Sequence, residues 1–379
     1  MGPLKGLKIV ELAGIGPGPF GVMQLADMGA TVIRIDRLEA ADLGVPKALK
    51  FNLLARNRQN IALDLKDPKA VELVLELIEQ ADVLVEGFRP GVTERMGLGP
   101  EVCLARNPKL VYGRMTGWGQ TGPLAPTAGH DINYISLTGA LHAIGREGQP
   151  PSPPLALVGD MGGGGMFLAL GVLAAVLNAR ETGQGQVVDA SIVDGAASLC
   201  TGFFGMTAAG LWSEQRGNNV LDSGAPYYDV YECADGKWIS IGPLEARFYA
   251  QLLQKIGINA EDLGAQNDNA KWAHNKQVIA RAFRARDRDD WCALLEGTDV
   301  CFAPVLTFRE APDHAHLQAR GTFVKVDGVV QPAPALRFSH TPSEMPKPPS
   351  LPDMRAALAG WMSEEAIHAW EKTLSSVSA

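Results

Sequence analysis

The sequence predicts an α/β protein in which a large Rossmann-like domain with a parallel sheet is joined to a smaller α+β domain. Three observations carry this expectation. Residues 7–12 read as a buried strand, residues 14–19 read Gly-Ile-Gly-Pro-Gly-Pro, and a helix over 20–28 leads to a second strand at 31–36, which together make a βαβ unit. The alternation continues with a helix at 71–80 and strands at 83–86 and 110–115, so the first 190 residues read as a parallel α/β domain. From residue 227 the pattern changes, because runs at 227–231 and 238–241 flank Asp235-Gly236 as in a β-hairpin.

The remaining elements follow in order. After Gly165 an apolar helix runs toward Arg180, the turn Gly183-Gln184-Gly185 feeds a strand over 186–190, and another helix starts near Ser191. Residues 196–225, rich in Gly, Ala and Ser, read as a connector. Helical patterns cover 245–256 and 289–296, the proline-rich tract 342–352 reads as an extended strap, and a last helix covers 364–374. The expected division is a large domain over 1–195, a connector over 196–225, a small domain over 226–318 and a return segment over 319–379.

With 379 residues, 46% of them hydrophobic, the chain can bury a large core in more than one domain. A formal net charge of −8 argues against nucleic acid or an anionic membrane as the main partner, because both select a basic face. Five cysteines (Cys103, Cys200, Cys233, Cys292, Cys301) show no C-x-x-C spacing, and no histidine pattern completes a zinc site, so no metal and reduced thiols in the cytoplasm are expected. The amino terminus leads straight into a strand, no apolar run reaches the roughly 18 residues of a membrane span, and residues 375–379 carry no S-K-L-type peroxisomal address.

Chemistry concentrates in a few places. The turn after the first strand is G-x-G-x-G interrupted by prolines, and Asp36 is followed by Arg37, so it departs from the dinucleotide fingerprint and reads better as structural turn glycines. Arg37, Arg56, Arg58, Lys66, Arg89 and Arg95 fall at predicted strand ends or in the loops that follow, where open α/β sheets bind ligands. They are either a phosphate-binding set, since guanidinium groups donate paired hydrogen bonds, or solvated surface charges.

His130, in Gly129-His130-Asp131-Ile132-Asn133-Tyr134, and Asp160, ahead of Gly162 to Gly165, each precede a helix-like segment. His130 is either satisfied locally at a helix start or an active imidazole. Gly129 leaves room beside it, and Asp131 can cap the helix, leaving backbone N–H groups to hold an oxyanion. Asp160 is either an N-cap or a reactive carboxylate. Four glycines inside helix turns cost roughly 1 kcal/mol each relative to Ala, so they imply close approach of a ligand or of another backbone. Glu245 sits where the hairpin ends and a helix begins, a place that helix polarity alone explains.

Taken together, E-L-A-G-I-G-P-G-P, R-I-D-R, E-G-F-R-P-G-V-T-E-R, M-T-G-W-G-Q-T-G-P, G-H-D-I-N-Y and G-A-P-Y-Y-D-V-Y-E-C resemble the alpha-methylacyl-CoA racemases, a branch of the class III CoA-transferase family, over nearly the whole chain. The resemblance implies a 2-methylacyl thioester of coenzyme A as substrate, inverted at its 2-carbon, with no cofactor beyond the coenzyme A of the substrate. It implies His130 and Asp160 as the acid/base pair and Glu245 as the histidine's hydrogen-bond partner. Coenzyme A would be held by Arg37, by Leu63, Asp64, Leu65 and Lys66, by Gly87, Phe88 and Arg89, by Arg95, and by Gly129, Asp131, Ile132, Asn133 and Tyr134. Family members form interlocked homodimers.

The family's transferases use the glycine-flanked aspartate as a nucleophile, and they usually carry Tyr or Phe at the position of His130 and a glycine-rich loop near 241–245. This chain departs from both features, which favours the racemase over the alternative of a class III CoA-transferase with Asp160 as nucleophile. A thioester α-proton is too weakly acidic for a neutral-pH base unless the enolate is stabilised, so oriented donors are required, and the Asp131 backbone N–H is expected to be one.

Overall fold

The computed structural model describes residues 2–39 and 44–375. It forms two compact units: Met1–Thr138, Leu155–Cys200 and Ala319–Ala379 make the first, and Gly139–Pro154 with Thr201–Gln318 make the second. These boundaries differ from the expected ones. Residues 139–154 leave the large domain because Arg146 grips Asp229 with two hydrogen bonds of 2.7 and 3.2 Å. The stretch expected as a connector contains the helix Thr201–Ala208, and the segment after residue 318 folds onto the first unit. Residues 376–379, the end of the tail expected to lack a peroxisomal address, lie outside the described residues.

The first unit is built on six parallel strands: β1 (Lys8–Leu12), β2 (Thr31–Asp36), β3 (Gln59–Ala62), β4 (Val83–Glu86), β5 (Val111–Thr116) and β6 (Gln186–Ser191), in the order β3-β2-β1-β4-β5-β6. Alternate residues of β1, β2, β4 and β5 enter opposite cores. Ile9, Val32, Val83 and Val111 pack against helix α1 (Pro17–Asp27) and the helix Phe167–Thr182. Val10, Ile33, Leu84 and Tyr112 pack on the other face against helix α2 (Pro68–Gln80). A parallel sheet buried on both faces needs such near-continuous apolar strands.

β3 escaped the sequence reading because it has only four residues and two of them, Gln59 and Asn60, are polar. It lies at the sheet edge, where Asn60 donates to the Ser350 carbonyl at 2.5 Å. The return segment adds the helices Met354–Leu358 and Glu364–Ser375, whose Leu358 and Ile367, with Trp361 between the helices, complete the core over α2.

The expectation that no apolar run could span a membrane is corrected by the helical run Leu157–Thr182, which is long and apolar enough by length and composition. Its glycine-rich first part continues into the following helix, so the two make one run. Leu168, Ala169, Val172 and Val176 belong to the sheet's core, as in the core helix of a folded domain.

In the second unit β7 (Asp229–Glu232), β8 (Trp238–Ile241) and β9 (Phe302–Val305) form an antiparallel sheet in sequence order. The helices Ala246–Lys255, Trp272–Phe283 and Arg288–Leu295 bury Tyr249, Leu252, Ile279, Phe283 and Trp291 with Tyr231 and Ile239 of the sheet.

Candidate active site

Strand order reverses between β1 and β4, and open α/β sheets bind ligands in the crevice at the carboxyl ends of strands at such a point. A cavity of about 300 Å³ lies there. Its wall is made by the ends of β1, β4 and β5 and the loops after them, and it includes Arg89, Trp118, His130, Tyr134 and Asp160. The two residues expected to handle protons, thirty positions apart in the chain, therefore share one cavity within the first unit.

His130 is the N-cap of the helix Asp131–Leu137, in extended backbone conformation. Its backbone N–H donates to Asn133 Oδ1 at 3.0 Å, which closes the cap, and its exposed side chain lines the cavity. Asp131 does not cap the helix as expected, because its carboxylate accepts the backbone N–H of Asp160 at 2.6 Å. At the first helical position the Asp131 N–H has no intrahelical acceptor. The Tyr134 hydroxyl donates to the Gly129 carbonyl, and its ring meets Trp118 edge-on at 4.7 Å. That ring dictates Gly117: a Cβ there would lie 1.9 Å from Tyr134 Cζ.

Asp160 is not an N-cap either. It lies inside the π-helical segment Leu157–Met166, whose N-cap is Ala156, and π-turns inside helices recur at functional sites. Burial pushes its carboxyl up to about 6, the Asp131 charge adds to the rise, and His130 opposes it. Close packing of other elements explains the glycine run, and at two positions the neighbour is backbone. A Cβ on Gly163 would lie 2.6 Å from Ala196 N, and one on Gly165 would lie 2.7 Å from Pro17 O. These glycines let the segment press against α1 and the helix Ile192–Leu199, which carries Asp160 to the cavity.

The residues expected to hold coenzyme A divide. Gly87, Phe88, Arg89, Gly129 and Tyr134 line the cavity. Arg37, Asp64, Lys66 and Arg95 are exposed in the segments that follow β2, β3 and β4, at the carboxyl edge of the same sheet, and so are Ile132 and Asn133 on the His130 helix. Leu63 and Leu65 instead pack into the core over α2, which leaves only their backbone for a ligand.

Two of the suspected phosphate binders are corrected. Arg56 is buried and bonded to Asp27, Gln331 and the Pro332 carbonyl, and Arg58 is buried and bonded to Glu11 and to the carbonyls of Leu54, Arg56 and Pro19.

The sequence reading missed Glu86, which lines the cavity at the end of β4. It accepts the Phe88 N–H at 2.6 Å and Arg114 Nε at 2.9 Å, and burial pushes its carboxyl up to about 7 against both. An acidic residue closing an apolar strand, one position before Gly87, was the available signal. Arg114 also reaches Glu94 at 2.9 Å, so it braces the segment from Glu86 to Arg95 that carries four of the expected coenzyme A residues. Glu245, the third expected catalytic residue, is in the second unit. It is the exposed N-cap of the helix Ala246–Lys255, with no side-chain capping bond.

Residues 4–375 match CoA-transferase family III. The chain belongs to that family. Within it, this member is 44% identical to alpha-methylacyl-CoA racemase of Mus musculus over 342 residues, covering 90% of this chain and 87% of the mouse protein. It is 40% identical to alpha-methylacyl-CoA racemase of Homo sapiens over 341 residues, with the same coverage. The crystal structure of a CAIB/BAIF family protein from Brucella suis is similar in fold, with a TM-score of 0.83 at 26% identity over 96% of this chain and 100% of that one. For a member of family III, the cavity at the sheet's reversal point is the candidate place of acyl-CoA chemistry.

Proposed function

We propose that this chain inverts the 2-carbon of 2-methylacyl-CoA thioesters by two-base 1,1-proton transfer through an enolate, with His130 and Asp160 on the two faces of the reacting carbon. The observation that carries this reading is that His130 and Asp160 line one cavity, with the Asp160 carboxyl held up at about 6. Similarity to the mouse and human racemases supports it.

A carboxyl near 6 is useful in both directions. At pH 7 roughly a tenth of it carries a proton, so it can give one to the enolate, and its ionised form is a stronger base than an ordinary carboxylate. One base takes the 2-proton, the electron pair moves onto the thioester oxygen, and the conjugate acid of the other base protonates the opposite face. The N–H groups opening the helix Asp131–Leu137 are suited to that oxygen, because they point outward with the positive end of the helix dipole.

Arg37, Lys66, Arg89 and Arg95 would take the phosphates of coenzyme A, with the segments 63–66, 87–89 and 129–134 along its length. Glu245 would hold His130 in an interlocked homodimer in which the second unit of one chain covers the first unit of its partner. The reaction would run in the cytoplasm with no cofactor beyond the coenzyme A of the substrate.

Incubation of either enantiomer of a 2-methylacyl-CoA in heavy water should place deuterium at the 2-carbon without net hydrolysis. Asp160→Ala and His130→Ala should each lower racemisation by about 10²–10⁴-fold. Asp160→Ala with undiminished exchange would overturn the two-base scheme. Hydroxylamine trapping of an acyl-enzyme, together with coenzyme A exchange between two acids, would instead establish a transferase with Asp160 as nucleophile.

A further inference from the structure

We infer that the Asp131 side chain is a positioning group for Asp160: it holds the Asp160 backbone N–H at 2.6 Å and keeps a second negative charge beside the reacting carboxyl. This rests on the proposed role of Asp160. It assigns the Asp131 carboxylate a task separate from that of its backbone N–H.

The geometry is tight on both sides. A Cβ on Gly159 would lie 2.1 Å from Asp131 Oδ1 and 2.9 Å from Ile135 Cγ2, so only glycine lets the π-helical segment approach the His130 helix this closely. Across the cavity, a Cβ on Gly16 would lie 2.9 Å from Asp160 Oδ2. Asp160 is thus confined between the Asp131 helix and the turn after β1. An acid in the first helical turn needs only the helix dipole to explain it, but an acid whose oxygen is spent on the backbone of a catalytic residue has a second task.

The direction of the effect follows from charge. The elements packed on the π-helical segment carry Asp27 on α1, Asp131 and Tyr134 on the helix Asp131–Leu137, Arg180 and Glu181 on the helix Phe167–Thr182, Asp194 on the helix Ile192–Leu199, Tyr112 and Arg114 on β5 and Asp189 on β6. Of these and His130, Asp131 and His130 are the charges that shift Asp160, in opposite senses, while the Tyr134 hydroxyl is itself pushed up by burial and by the Asp160 charge. Asp27, Asp189 and Asp194 are committed to Arg56, to the Gln120 N–H and to the Ser191 hydroxyl. Asp131 therefore makes Asp160 hold its proton more tightly, while His130 loosens it.

The test is a carboxyl NMR titration of aspartate-labelled, ligand-free full-length protein, with Asp160→Asn used to assign the resonance. Asp131→Asn keeps an oxygen acceptor and removes the charge, so the Asp160 midpoint should move down toward the ordinary carboxylate range, and the acidic limb of the racemisation profile should move down with it. Asp131→Ser should move the midpoint the same way and serves if the Asn variant does not fold. A midpoint unchanged or raised in the folded variant overturns the inference. The titration needs no turnover, so a wild-type protein that exchanges no deuterium at the 2-carbon would sink the racemase reading and leave this result standing.

Discussion

Two groups of cationic side chains, alike in sequence position at strand ends, have opposite surroundings. Arg56 and Arg58, just ahead of β3, are buried and bound to Asp27 and Glu11 at 2.5 and 3.0 Å. Arg37, Lys66, Arg89 and Arg95, after β2, β3 and β4, are exposed and make no ion pair among the described residues. The difference teaches how to tell a structural arginine from a recruiting one. Burying a guanidinium costs several kcal/mol unless a carboxylate and further acceptors meet it, so a buried arginine has already spent its donors inside the fold. Only the exposed group keeps its donors for phosphate oxygens.

Breaking the buried side of this contrast should give the largest effect. Arg58→Ala strands Glu11, which is almost fully buried and among the described residues is left with Arg34 at 3.7 Å, so the chain should lose about 3–5 kcal/mol of stability by chemical denaturation. A loss under about 1 kcal/mol would mean that the pair is not structural. The exposed side should behave in the opposite way. Arg89→Ala should weaken binding of a coenzyme A thioester by about 10–100-fold in calorimetry, the worth of a charge-assisted hydrogen bond, while stability stays within about 0.5 kcal/mol. Equal binding by the variant would remove Arg89 from the ligand site.

The sequence made the parallel βαβ frame legible because apolar strands buried on both faces and glycine-proline turns are local signals. His130 and Asp160 were legible as candidates because glycines flank them, Gly129 beside the histidine and Gly159 with Gly162 to Gly165 around the aspartate. What stayed hidden depended on partners distant in the chain. Nothing around Arg56 reveals Asp27 and Gln331 as its partners, and Gly163 and Gly165 face the backbones of two helices distant in the chain. Local pattern gave Asp131 a capping role, yet Asn133 closes the cap and Asp131 reaches across to residue 160. Residues 139–154 joined the second unit through Arg146 and Asp229, 83 positions apart.

Glu86 lies on the border between the two groups, and it offers the subtlest way to sharpen the contrast. Its partner Arg114 is buried like Arg56, yet Glu86 itself lines the cavity, and Arg114 reaches Glu94 in the segment that carries Arg89 and Arg95. Burial outweighs the donors around it and raises the folded-state value to about 7, above the value near 4.5 of the unfolded chain. A carboxyl raised in this way binds more protons folded than unfolded, so its contribution to stability is full below about 4.5 and is lost as pH rises through about 7. Glu86→Gln removes this titration and keeps an oxygen for one of the two donors. The variant should therefore gain stability relative to wild type as pH rises from about 5 to 8, read as the difference between their denaturation midpoints at each pH. A difference that stays flat over this range would mean that Glu86 is already ionised throughout. Arg114 would then be as fully committed as Arg56, and the border between the two groups would lie above the cavity rather than through it.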